Sequence, residues 1–201
     1  IPGAVVVVGD QERVIYKKAF GFRSLRPSRL PMTGDTIFDI ASLTKVVATS
    51  TAIMQLSEKG KINIDSPVSR YWPQFRANGK KNITVRQLLT HYSGLRPELR
   101  SKPGWSGYDG AMKRIISERP KFTPGTHFLY SDLNFQILGE LVRRVSGKAI
   151  DEYCAENIFR PLGMKDTMFI PPADLRGRIA PTEYIRVSNR FLLGDVHDPS
   201  A

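Results

Sequence analysis

Ser42-Leu43-Thr44-Lys45 places a hydroxyl and an amine three positions apart. On a helix, positions i and i+3 share a face, so the two side chains come within reach of each other. The segment lies where a helix is expected to start. A serine there faces the positive pole of the helix dipole, which favours an anionic nucleophile. A lysine one turn on either takes the hydroxyl proton or holds the group that does. The chemistry this suits is nucleophilic attack by an activated hydroxyl. The same spacing also arises when an N-cap serine precedes a solvated lysine, so the pair needs further residues to carry a function.

Other chemistries find less support. His91, His127 and His197-Asp198 could be arranged into a Ser-His-Asp scheme. The strained elbow G-x-S-x-G is missing, however, because Gly104-Trp105-Ser106-Gly107-Tyr108 lacks the final glycine. H-E-x-x-H, phosphate-loop and dinucleotide fingerprints are absent, so neither metal nor cofactor is expected. The single Cys154 can form neither an internal disulfide nor a multi-cysteine metal site, and it reads as a buried helical thiol. Asn82-Ile83-Thr84 matches a glycosylation sequon in form only.

The elements that must position Ser42 and Lys45 follow from periodicity. Residues 3 to 9 read as a strand apolar on both faces, which is normally covered on both sides. Turn residues Gly9-Asp10-Gln11 and a β-rich run from Arg13 to Phe22 complete a hairpin. Residues 23 to 36 read as loop. Helix is expected from about Ser42 to Lys59, with Gly60 as its stop. Thr84-Val85-Arg86-Gln87 is a capping box that opens a short helix. A short helix is expected over Ala111 to Glu118, and Asn134 to Val145 keeps helical spacing up to Gly147. Another helix covers roughly 149 to 158, and the chain beyond Pro161 reads as irregular. The implied division is a hairpin and loop over 1–36 and a mainly helical part over 37–201.

A chain of 201 residues can bury a sizeable core. The longest apolar run, Ala4 to Val8, is too short to span a bilayer. Lysine and arginine give a net charge of +11, but they are spread along the chain without an arginine-rich arm or an aromatic-studded basic motif. A solvated basic surface is the reading, and no nucleic-acid partner is expected.

The surroundings of Ser42 make a resemblance specific. Phe38-Asp39-Ile40-Ala41-Ser42-Leu43-Thr44-Lys45 resembles the first motif of class C β-lactamases and their esterase and peptidase relatives. Leu88-Leu89-Thr90-His91-Tyr92-Ser93-Gly94-Leu95 resembles their L-L-x-H-x-S-G-L segment. Pro124-Gly125 followed by Tyr130-Ser131-Asp132-Leu133-Asn134 resembles the second motif, Tyr-x-Asn. Pro161-Leu162-Gly163-Met164 with Thr167, and Ile1-Pro2-Gly3, are further landmarks. They occur in family order over nearly the whole chain.

The resemblance implies an α/β fold of the serine β-lactamase and D-alanyl-D-alanine peptidase kind, with an antiparallel sheet flanked by helices plus a helical subdomain. It implies Ser42 as nucleophile and one oxyanion donor, with Lys45 and Tyr130 as its partners and Tyr130 relaying a proton to the leaving group. Which of the two is the base stays open. Bringing either from its reference pKa to near 7 requires about 4 kcal/mol of differential interaction. His91 becomes structural, Trp105 and Tyr108 could wall a pocket, and an extracytoplasmic location is implied. The substrate would be a small ester, a β-lactam or a D-amino-acid peptide. A non-catalytic ligand-binding or sensory domain on the same fold is the alternative.

Two departures matter. Asp132 stands where the family carries asparagine, and it either contacts substrate or caps the following helix. The third motif, Lys/His-x-Gly on a late strand, and the helix preceding the first strand are both absent. The expectation is therefore a partial domain, short at both ends.

Overall fold

The computed structural model describes residues 2–99, 106–186, 188 and 190–196. Trp105, His197 and Asp198, raised above, lie outside the described residues, as do Ile1 and Gly104. The chain divides into two compact units, one of Ile1–Ala41 with Met168–Pro199 and one of Ser42–Thr167. The expected boundary at residue 36 with helical structure to 201 differs from this division, which groups the Met168–Pro199 segment with the hairpin. Part of the reason is a bridge from Ile37 to Ile179, where Ile37 N–H donates to Arg178 O at 2.9 Å and Ala180 N–H to Ile37 O at 2.9 Å.

In the first unit, β1 (Gly3–Gly9) and β2 (Val14–Ser24) form the antiparallel hairpin, with Val5 opposite Ala19 and Val7 opposite Lys17. Asp10 shapes the turn, because its Oδ1 accepts from the Glu12 and Arg13 N–H groups at 2.9 and 2.8 Å. β3 (Leu30–Pro31) adds a short third strand in the order β1-β2-β3, inside the segment expected to be loop. A proline fits there because an edge strand leaves its N–H position without a ladder partner. β4 (Tyr184–Ile185) and β5 (Arg190–Phe191) pair separately in the region expected to be irregular. Val6, Val7, Val8, Val14 and Ile15 of the hairpin are exposed, although their composition anticipates cover.

The second unit holds the core. A π-helical stretch over Lys45–Ser50 leads into α1 (Thr51–Glu58). The Thr84–Gln87 capping box opens α2 (Val85–Leu89), with the Thr84 hydroxyl accepting from Gln87 N–H and the Gln87 side chain from Thr84 N–H, both at 3.1 Å. α3 (Gly107–Ser117) begins four residues earlier than the expected Ala111. α4 (Asp132–Ser146) ends at Gly147, whose φ of 78° is the left-handed cap that glycine adopts without a Cβ penalty. α5 (Ile150–Cys154) runs into a second π-helical stretch, Ala155–Phe159.

The buried face of α4, with Leu133, Ile137, Leu138 and Leu141, recurs at helical spacing and is fully enclosed. Ala52, Ile53 and Leu56 of α1 belong to the same core, along with Leu88, Trp72 and Phe75. Cys154 is buried, and burial pushes its thiol up to about 12, which suits an inert packing residue. Among the described residues no helix is long and apolar enough to cross a membrane.

Candidate active site

Ala41 immediately precedes the candidate nucleophile and takes φ 46°, in the left-handed region. For a residue with a Cβ this costs roughly 1–2 kcal/mol. Asp39 Oδ1 accepts from the Ala41 N–H at 2.8 Å and supports the turn. The chain then enters the helical stretch with Ser42 exposed at its start.

Ser42 Oγ accepts two hydrogen bonds, one from Lys45 Nζ at 3.1 Å and one from the Tyr130 hydroxyl at 2.9 Å. The first contact is local and follows from i, i+3 spacing. The second crosses 88 positions and depends on the placement of the turn before α4. Asp132 is the first residue of α4 and the acidic residue of its first turn. It forms an ion pair with Lys45 at 2.7 Å. Lys45 Nζ also lies 5.1 Å from the centre of the Tyr130 ring and 5.7 Å from that of Phe135.

The electrostatics of Lys45 follow from these neighbours. Burial works to lower its pKa, but the hydrogen bonds to Asp132 and Tyr130, and their charges, outweigh burial and hold it above its usual value. At neutral pH Lys45 is therefore an ammonium. It can donate to Ser42 and stabilise negative charge nearby, but it has no lone pair with which to take the serine proton.

His91 does not reach Ser42 as a base. Its ring stacks on Tyr130 with centroids 4.5 Å apart and packs against Phe128 and Phe135. Its Nδ1 accepts from the Ser131 N–H at 3.1 Å, which places the neutral ring's proton on Nε2. Desolvation and the nearby Lys45 ammonium lower its pKa, so it is neutral at pH 7. His91 has φ 59°, and this backbone turn lets the ring fold back onto the Tyr130 segment. Its neighbour Ser93 donates to Asn134 Oδ1 at 2.6 Å, tying the same segment to α4. His127 is engaged with the Thr126 hydroxyl and stacks on Phe122. Tyr108 donates to Glu140 on α4, and that carboxylate also pairs with Arg143 and Arg144.

Sequence reasoning missed the supporting shell. Arg96 O accepts from the Ser131 hydroxyl at 2.6 Å, and Pro97 O accepts from the Asp132 N–H at 2.7 Å. Main-chain acceptors carry no residue signature, so no motif could have announced them. The sharp turn at Gly94 was the available signal. With φ 74°, a Cβ there would lie 2.2 Å from Phe122 O, so only glycine lets the segment pass this close. Among the described residues no cluster of three or more His, Cys, Asp or Glu suits a metal ion.

Comparison with known proteins gives a consistent result. The family model described as Beta-lactamase matches residues 1–198. An N-acetylmuramyl-L-alanine amidase of Bacillus subtilis is 30% identical over all of this chain and 53% of its own length. The esterase EstB of Burkholderia gladioli is 32% identical over 84% of this chain and 47% of its own. A solved class C beta-lactamase superposes with a TM-score of 0.79 at 26% identity, over 96% of this chain and 52% of that one. The chain thus spans about half the length of the relatives it matches. Its fold is that of the serine β-lactamases and penicillin-binding proteins, and with the family model matching nearly every residue, the chain belongs to the Beta-lactamase family.

Proposed function

We propose that this chain carries the nucleophilic half of a serine hydrolase that cleaves an ester or amide through an acyl-Ser42 intermediate. The observation that carries the reading is the convergence of Lys45 Nζ and the Tyr130 hydroxyl on Ser42 Oγ, at 3.1 and 2.9 Å. An amidase, an esterase and a class C beta-lactamase among its relatives agree with acyl transfer as the reaction class.

In this reading the Tyr130 hydroxyl first releases its proton to solvent, the Ser42 hydroxyl then donates to the phenolate, and Ser42 Oγ attacks the substrate carbonyl as its proton passes to the Tyr130 oxygen. Lys45, held protonated by Asp132, stabilises that phenolate by charge. Tyr130 then returns the proton to the leaving alkoxide or amine, and the carbonyl carbon remains bonded to Ser42 Oγ. Water enters by the reverse relay: its oxygen bonds to the carbonyl carbon as its proton goes to Tyr130, and the bond to Ser42 Oγ then breaks with that proton passing to Oγ, which releases the acid. The Ser42 N–H serves as one oxyanion donor. Asp132 contacts substrate with carboxylate capacity not taken by Lys45. Esters, β-lactams and peptides are the candidate substrate classes.

The test is labelling of the full-length protein with a fluorophosphonate and with a labelled penicillin, followed by peptide mapping. Label on Ser42 from either probe is the expected result. Absence of label from both on folded protein, or label elsewhere, overturns the reading.

A further inference from the structure

Glu118 is a buried carboxylate for which the proposed reaction has no direct use. Its side chain is 4% exposed, and it occupies the C-terminal cap of α3. A carboxylate is disfavoured there, because the negative pole of the helix dipole repels it. What holds it is a set of cations. Arg96 Nε lies 2.8 Å from Glu118 Oε2, in an ion contact whose N–H is not aligned as a hydrogen bond, and Arg114 Nε lies 3.2 Å from Oε1. The buried Lys80 donates to the Glu118 main-chain oxygen at 2.6 Å.

Of these cations only Arg96 leads to the candidate active site. Its carbonyl accepts from the Ser131 hydroxyl at 2.6 Å, and that of Pro97 accepts from the Asp132 N–H at 2.7 Å. On its other flank the same segment is fixed by the Lys121 N–H, which donates to Gly94 O at 2.7 Å. Ser131 is extended, with φ −147° and ψ 122°, and successive side chains on extended backbone point to opposite sides. Seating the Ser131 hydroxyl on Arg96 O therefore puts the Tyr130 side chain on the opposite side, where its hydroxyl meets Ser42, and the bond from the Asp132 N–H to Pro97 O fixes the start of α4, where the Asp132 carboxylate meets Lys45.

We propose that Glu118 is a positioning residue that acts through Arg96, fixing the 96–97 segment so that Tyr130 and Asp132 meet Ser42 and Lys45. The inference rests on the proposed roles of Ser42, Lys45 and Tyr130. It adds a residue that touches none of the reacting atoms.

Glu118→Gln in the full-length protein keeps the shape and removes the charge. The rate constant for acylation per titrated Ser42 is expected to fall about 10- to 100-fold, the scale set by misplacing a reacting group by an ångström or less. Substrate KM is expected to stay within about threefold, as for an interaction made only in the transition state. Arg96→Gln reproduces the loss, and Arg96→Lys restores part of it. Arg114→Gln, which strips the other cation from the same carboxylate, leaves the per-site rate unchanged even where it lowers the melting temperature. A merely structural Glu118 would instead lower the fraction of titratable sites at constant rate in all these variants, and that result overturns the proposal. Should Glu118→Gln fail to fold, Arg96→Gln decides alone. A crystal structure of the folded variant separates this proposal from the reading beneath it. If wild-type Ser42 takes no label, the reaction assignment falls. The positioning claim then stands or falls on whether the Ser131–Arg96 O and Lys45–Asp132 distances lengthen in the variant.

Discussion

Asp132 Oδ1 and Lys45 Nζ stand 2.7 Å apart, with the lysine side chain 16% exposed and the carboxylate 33%. A pair this enclosed is screened less than a surface pair, and it keeps the proton on the amine. If acylation needs a protonated Lys45, its rate persists into alkaline pH and falls only as the ammonium titrates. Asp132→Asn removes the charge that raises the Lys45 pKa, so the alkaline fall moves to lower pH. A pH profile of probe acylation for the two proteins is the measurement. An unmoved alkaline limb would remove Asp132 from control of the lysine.

Lys45→Ala and Tyr130→Phe test the two donors on Ser42. Each is expected to slow acylation by about 10²–10⁴-fold, the usual contribution of a positioned proton-transfer group. The double variant is expected to lose much less than the product of the single losses, since groups acting on one oxygen behave as a unit. Stopped-flow acylation of folded variants reads both quantities. Near-wild-type rates in either single variant would contradict the role given to that residue.

His91 predicts an acid-side effect of defined sign. Its folded pKa lies below its ordinary value because of burial and Lys45, while the Asp132 carboxylate opposes the shift. The unfolded chain therefore binds the proton more readily, and the contribution of His91 to stability is present above its unfolded pKa and is lost as pH falls through and below about 6.5. Protonation would also turn Nδ1 from acceptor to donor against the Ser131 N–H. His91→Asn keeps a residue tolerant of φ 59°. Chemical denaturation at pH 7.5 and 5.5 should show a larger stability loss for wild type than for the variant. Equal losses would mean that His91 does not titrate in this window.

Much of this arrangement was legible because it is local. The Ser42–Lys45 contact follows from helical spacing, the Thr84–Gln87 box from its residue types, and the end of α4 from Gly147. Tyr130 was legible through its motif, since nothing in composition or periodicity brings it across to Ser42. The shell around it was not. Arg96 and Pro97 act through carbonyls that any residue possesses, and nothing in the sequence pairs Glu118, at the end of an expected helix, with Arg96. The family segment implies a structural His91, but its stack on Tyr130 depends on a left-handed backbone that sequence rarely announces outside glycine. The π-helical stretch after Ser42 left no mark either, because its residues also suit an α-helix. β3 was hidden by Pro31, which disguises an edge strand as loop.

Lys80 predicts a slope in stability on the alkaline side. Its side chain is fully enclosed, its Nζ donating to Ile116 O at 2.8 Å and Glu118 O at 2.6 Å, and burial pushes its pKa down to about 8. The unfolded lysine keeps its proton to near pH 10.5. Between those values the unfolded chain binds more protons, so this residue makes stability rise with pH. From pH 7.5 to 10 the rise is at most about 2 kcal/mol, since the carbonyl acceptors and the Phe75 ring below the ammonium resist the shift. Lys80→Met abolishes it. Urea unfolding of both proteins at the two pH values measures the difference, and parallel behaviour would show that Lys80 stays charged throughout.

Asp132 is also expected to bear on what the site accepts. An asparagine there can donate to a substrate carbonyl, whereas an ionised aspartate only accepts. With one oxygen on Lys45, the remaining acceptor capacity suits a substrate N–H or ammonium and repels a carboxylate. Lys45 offsets the charge of Asp132, but the Tyr130 phenolate that receives the Ser42 proton leaves the group net negative as substrate arrives. An anionic substrate is then opposed as it approaches Ser42. Neutral esters and amine-bearing amides are therefore expected to react faster than β-lactams, most of which carry a carboxylate near the scissile bond. Asp132→Asn, assayed in the full-length protein on a neutral short-chain ester and on a penicillin, should move the ratio of kcat/KM toward the penicillin by about 10-fold or more, the factor that 1.4 kcal/mol of differential interaction produces. A constant ratio, with both activities changed equally, would confine Asp132 to holding Lys45 and leave substrate choice to other residues.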